Sequence, residues 1–161
     1  MNEIIVQVDE MAPDGAALTA RLTDAPDTEA GTNMGTGAVA TFLGICRGEG
    51  GKLEALELQH YPGMAEAQLE RIARQTLSST GATAIAIHHR HGRVLPGEPI
   101  VAVVATSPHR KAAIEAVDTV MDYLKTDAPF WKRERWANGE TSWVDAKPSD
   151  DAARAARADK H

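Results

Sequence analysis

Cysteine is nearly absent: the 161 residues hold one, Cys46. No disulfide can form within the chain, and no four-cysteine metal site either. Aromatic residues are scarce as well, 4% of the chain against 28 alanines, so the core has to be aliphatic and each ring is worth locating. No apolar run approaches the roughly 18 residues that a membrane-crossing helix needs. The N-terminus, MNEIIVQVDEMAPDG, lacks the basic-then-apolar order of a secretory signal, which leads to the expectation of a cytoplasmic protein. A basic excess is missing too: 17 Lys and Arg stand against 23 Asp and Glu, a formal net charge of −6. General nucleic-acid binding normally shows the opposite balance, which leaves room only for a local basic pocket.

What is present fits one domain, residues 1–147, followed by a C-terminal tail, 148–161, with no apolar stripe. Residues 3–8 read as a strand and 16–22 as a short helix. The Thr-, Asp-, Gly- and Pro-rich stretch 23–37 reads as a loop. A strand is expected over 37–43 and a Gly-rich loop over 44–52. Residues 53–60 alternate, with Leu56, Leu58 and His60 on one face, the period of a half-buried strand. Pro62 suits the first turn of a helix running to residue 79. Strands follow at 83–89 and 99–106, joined by the turn HGRVLPGEP. Ser107 and Pro108 suit the cap and first residue of a helix from 108 to about 126, with Ala113, Ile114, Val117, Val120, Met121 and Leu124 on one stripe. The chain leaves that helix at Pro129, and a last strand spans 141–146 after an Asn138-Gly139 turn. Short strand–strand links point to mostly antiparallel pairing and an α+β fold.

Cations cluster between residues 109 and 135. His109 and Arg110 sit at a helix start, where the dipole favours anions. They are either solvated surface charges or, with the free N–H groups there, a phosphate or carboxylate site. Lys125 and Lys132 flank the bend around Phe130 and Trp131. Either they are a helix-end cation and a snorkelling side chain, or they are partly desolvated, which lowers a lysine pKa and makes an amine nucleophile or proton shuttle. Arg47 lies in GICRGEGGK, a loop whose glycines let backbone approach an anion. It is not a P-loop: Cys46 stands where the first glycine is needed and Leu53 where Ser or Thr is needed. His88, His89 and His91 cannot all converge on a metal from one strand without a bulge, because 88 points away from 89 and 91. Cys46 reads as a small packed residue rather than a nucleophile.

Four segments in this order, GAVATFLGICRG (37–48), LELQHYPGMAEAQL (56–69), IHHRHGRVLPGEPIVAVVATSPHRKAAIEA (87–116) and MDYLKTDAPFWKRE (121–134), resemble the catalytic, large-subunit family of molybdopterin synthase. The resemblance covers roughly residues 37–147, and MDYLKT-x-APFWKRE and HYPGM are its most specific marks. It implies an α/β hammerhead-type fold and a sulfurtransferase that adds two sulfurs to cyclic pyranopterin monophosphate (precursor Z) in molybdenum cofactor biosynthesis. The implied partner is a small ubiquitin-like sulfur carrier whose C-terminal Gly-Gly ends in a thiocarboxylate. The implied assembly is a homodimer within a heterotetramer, with no cofactor or metal needed for the sulfur step. Carried over residue by residue, the catalytic lysines are Lys125 and Lys132. The substrate-binding positions are Arg47 with the backbone of Ile45 and Cys46, His109, Arg110, Arg133, Glu134 and Lys147. Some of these are expected from a neighbouring subunit. His91 departs from the family, which often has an apolar residue there.

Overall fold

The computed structural model describes residues 3–24, 35–127 and 129–144. The elements in chain order are β1 (Glu3–Asp9), α1 (Gly15–Thr23), β2 (Ala38–Ile45), β3 (Leu53–His60), α2 (Met64–Thr80), β4 (Ala84–Arg90), β5 (Gly92–Val94), β6 (Pro99–Ser107), α3 (Arg110–Thr126), β7 (Phe130–Trp136) and β8 (Thr141–Val144). They form two four-stranded sheets, ordered β1-β4-β6-β2 and β5-β3-β7-β8. Among the described residues only β1 and β4 pair in parallel, and every other ladder is antiparallel. The mixed α+β architecture expected from the sequence is the one observed.

The β-branched run of β6 is buried on both faces because helices cover both. On one side Ile85, Ile87, Val101, Val103 and Ala105 meet Leu69, Ile72 and Leu77 of α2 and Val117, Val120 and Leu124 of α3. On the other side Ala84, Ala86, Ala102 and Val104 meet Leu18 and Leu22 of α1. Alanine at three of these four sheet positions leaves room for a short helix to lie close. A smaller cluster, Cys46, Leu53, Leu56, Leu58 and Val94, belongs to the second sheet. Among the described residues no helix is long and apolar enough to cross a membrane.

Several boundaries differ from the sequence expectation, each for a local reason. Pro62 lies in the turn before α2, not in its first turn. Gly63, at φ 80°, is the N-cap, and its N–H donates to the Glu66 carboxylate at 2.7 Å. Ser107 is the last residue of β6 rather than a helix cap; its hydroxyl accepts from the His109 N–H at 3.3 Å, and α3 starts at Arg110. Ile114 is 60% exposed, and Ala116 and Tyr123 fill the buried stripe instead. It lies one 100° step outside that stripe. Two strands escape the sequence reading, β5 within the expected HGRVLPGEP turn and β7 within FWKRERW. The latter has charges on both faces and so no apolar alternation to read. The last strand ends, as described, at Val144; the 25–34 part of the expected loop, Lys147 and the tail lie outside the described residues.

Candidate functional site

The register of β2 on β6 decides which candidate residues can meet. Ala38 faces Ser107 and Gly44 faces Val101. Arg47 therefore lies just past one end of this ladder, beside the start of β6. His109 and Arg110 lie past the other end, where the Gly37 N–H donates to the Ser107 carbonyl at 3.0 Å. An eight-residue strand spans roughly 25 Å. Arg47 and the His109–Arg110 pair are thus at opposite poles of one chain, and no single phosphate can touch all three there. From Arg110, α3 packs back along β6 and β2. Its 17 residues cover about 25 Å, so Lys125, in its last turn, returns to the Arg47 pole. β7 starts at the same pole, for Phe130 stacks on His89, which faces Val101 near the beginning of β6. One chain thus gathers Arg47, Lys125 and Lys132 at one pole and leaves His109 and Arg110 at the other.

Alternation along β7 sorts its charges. Lys132 pairs with Leu58 and Phe130 with His60, so these four side chains share one face, with Glu134 opposite Leu56 further along it. Arg133 and Arg135 project from the other face and clamp Glu57 between them. Both forks reach its carboxylate, Arg133 Nε at 2.8 Å and Arg135 Nη2 at 3.0 Å. Hydrogen bonds from Arg133 and Arg135 hold the Glu57 carboxyl below the usual range. Arg133 also lies over the Trp143 ring, 5.6 Å from its centroid. Arg133 is therefore committed on the face away from Lys132, while Glu134 accepts from the Ser142 hydroxyl at 3.4 Å on the Lys132 face.

The remaining candidates divide in the same way. Arg47 is exposed and pairs at 3.4 Å with Glu49, itself exposed. A surface pair of this kind contributes little to stability. Ile45 is exposed. Cys46 is buried, its N–H donates to the Glu98 carbonyl at 2.9 Å, and its carbonyl accepts from Gly97 at 2.8 Å. Its backbone is already spent on the 95–98 turn. Burial, then the charges of Glu98, Glu49 and Glu134, push its thiol up, which makes it a poor thiolate. Lys125 is exposed, so a single chain does not desolvate it, whereas Lys132 is half-buried. Lys111 adds a third exposed cation to the His109–Arg110 pole, a neighbour the sequence reading left out. Two open grooves flank β2, one against Pro13–Ala16 and one against Thr23, and neither includes a candidate residue.

Sequence reasoning also left out the rings around Lys132. His89 stacks on Phe130 with centroids 3.7 Å apart, His60 lies 6.1 Å from Phe130, and His91 lies 4.1 Å from His60. The signal was there: His60 continues the Leu56–Leu58 face of its strand. His88 points the other way and bonds Asp9 at 2.8 Å. Among the described residues no group of histidines, cysteines and carboxylates is arranged to hold a metal.

The comparisons agree with one another. The family model described as "MoaE protein" matches residues 18–127. The chain is 55% identical over 119 residues to the molybdopterin synthase catalytic subunit of Rhizobium meliloti, covering 73% of this chain and 77% of that protein. It is 53% identical to the protein of the same name from Brucella melitensis, covering 73% of each. Among solved structures, the molybdopterin biosynthesis MoaE protein of Burkholderia ambifaria superposes with a TM-score of 0.77 at 40% identity, over 98% of this chain and 99% of that one.

Proposed function

The chain belongs to the MoaE protein family and serves molybdopterin biosynthesis as a molybdopterin synthase catalytic subunit, and on that premise we propose that the step it performs is sulfur transfer to cyclic pyranopterin monophosphate. The sulfur donor is the C-terminal thiocarboxylate of a small ubiquitin-like partner, and the reaction takes place in the cytoplasm. Residues 1–147 act as the catalytic domain and 148–161 as a tail.

The observation that carries the reading is the gathering of Arg47, Lys125 and Lys132 at one pole. Lys125, at the open end of α3, meets the carrier's tail, where its amine moves a proton or takes the acyl group transiently as an amide while the C–S bond breaks and the sulfur passes to the pterin. Lys132, half-buried on β7, positions the pterin and stabilises negative charge that develops on it. Arg47 exchanges Glu49 for the substrate phosphate. His109 and Arg110 are too distant to help in the same chain, so a second copy supplies them, and the working unit is a homodimer with one carrier at each site. Lys147 is assigned to substrate binding on the resemblance alone. Arg133 supports the sheet through Glu57 rather than touching substrate.

The test is a reconstituted transfer with thiocarboxylated carrier and precursor Z, the dithiolene pterin being read by fluorescence after oxidation. Native chain gives product and Lys125→Ala nearly none. Mixing inactive Arg47→Ala chains with inactive Arg110→Ala chains restores about a quarter of native activity, because random exchange makes half the dimers mixed and each mixed dimer has one intact site. No product from native chain in a confirmed complex with the carrier defeats the transfer reading. No recovery on mixing, with subunit exchange demonstrated, defeats the shared site.

A further inference from the structure

Four rings, three from strands and His91 from the link between β4 and β5, form one column: His91, His60, Phe130 and His89. Adjacent centroids are 4.1, 6.1 and 3.7 Å apart, and the interplanar angles are 27°, 17° and 14°. The column joins the two sheets, since His89 belongs to β4 of the first and His60 and Phe130 to β3 and β7 of the second. Phe130 is the pivotal ring. It comes five residues after Lys125 and two before Lys132, and it shares the Lys132 face of β7.

We propose that this ring column is the positioning device for Lys132, holding the start of β7 against the first sheet so that both lysines keep a fixed relation. The proposal rests on the role given to Lys132 above. Three observations support it. First, Phe130 lies between two rings nearly parallel to it, so sliding or tilting β7 breaks both stacks. Second, His89 is 5% exposed and its Nδ1 is 2.9 Å from the Arg90 carbonyl, which only accepts. The proton is therefore on Nδ1 and the ring cannot turn without losing that bond. Third, Lys132 is half-buried on the face of the second sheet that it shares with Phe130 and His60, and burial, then the charge of Lys132, hold His89 neutral. The other charged groups facing these rings are His88 beside His89 and, around His60, His91 and Glu66 of α2. In this role the flat ring matters and imidazole acid–base chemistry does not, so phenylalanine can replace His60.

The test measures kcat on the unmodified full chain and, on separate samples of the same chains with their lysines reductively methylated with 13C, the Lys132 resonance, assigned by its loss in Lys132→Arg. His60→Ala shifts that resonance and lowers kcat at least about tenfold, as a misplaced catalytic group does, with KM for the pterin within about twofold. His60→Phe restores both. Phe130→Leu, which keeps apolar volume but removes the central ring, reproduces the loss if His60→Ala fails to fold. A native Lys132 resonance in the variants lacking a ring overturns the proposal. So does a folded His60→Phe chain as impaired as His60→Ala, for then the imidazole itself is required. The resonance needs no turnover. If it follows the ring series while native chain makes no product, the transfer reading fails and the positioning device stands.

Discussion

His89 is a base that folding keeps uncharged. Burial outweighs its bond to the Arg90 carbonyl and, with the charge of Lys132, brings its pKa from 6.5 down to about 3. The unfolded chain releases that penalty and binds a proton readily. Between pH 6.5 and 3 the unfolded state therefore holds more protons at this residue, and stability falls as pH drops through the window, by up to about 1.4 kcal/mol per pH unit. His60, lowered by burial and then by His91, acts in the same direction. Glu57, held down by Arg133 and Arg135, adds its own loss only as pH falls below 4.5. Urea unfolding at a series of pH values is expected to show a shallower decline between pH 7 and 5 for His89→Phe, which keeps a ring against Phe130, than for native chain. Equal slopes exclude His89 as the acid-sensitive group. The sequence alone marked three histidines and weighed them only as metal ligands. It held no sign that one, His89, faces a half-buried phenylalanine, Phe130, in another sheet, because that contact exists only once the sheets have packed.

At the scale of elements, the junction between β6 and α3 carries the His109–Arg110 pole, and one glycine permits it. A Cβ on Gly37 would lie 2.3 Å from the Pro108 carbonyl oxygen and 3.3 Å from its carbon. Both are backbone atoms, so the turn itself has to move. Gly37→Ala is expected to cost about 1–3 kcal/mol, as overpacking does, and to displace His109 and Arg110 together. Gly35→Ala, with nothing within 4 Å of the added carbon, serves as the control, and thermal melts of the two variants decide the point. Elements with a clean period were legible beforehand: β1, β3, β6 and the bodies of α2 and α3. The β7 strand was not, since FWKRERW satisfies its two faces with ions and rings instead of alternating apolar residues. Helix starts were misplaced by two residues where a rule of thumb about proline competed with a glycine cap at Gly63 and a strand that ran on through Ser107.

For the whole molecule, the sequence supplied the α+β class and, through its motifs, the candidate residues, but not their distances. Arg47, His109 and Arg110 look like one anion pocket on paper because all three are cations near glycines or helix starts. The β2–β6 register separates them by the length of a strand, and register is a property of pairing that no local pattern carries. The scarcity of aromatic residues has a practical sequel. All three tryptophans, Trp131, Trp136 and Trp143, belong to β7 and β8. Indole emission from this protein therefore reads the lysine-bearing sheet and is silent about the other, so fluorescence and circular dichroism followed side by side through one titration compare the two halves of the molecule without any label.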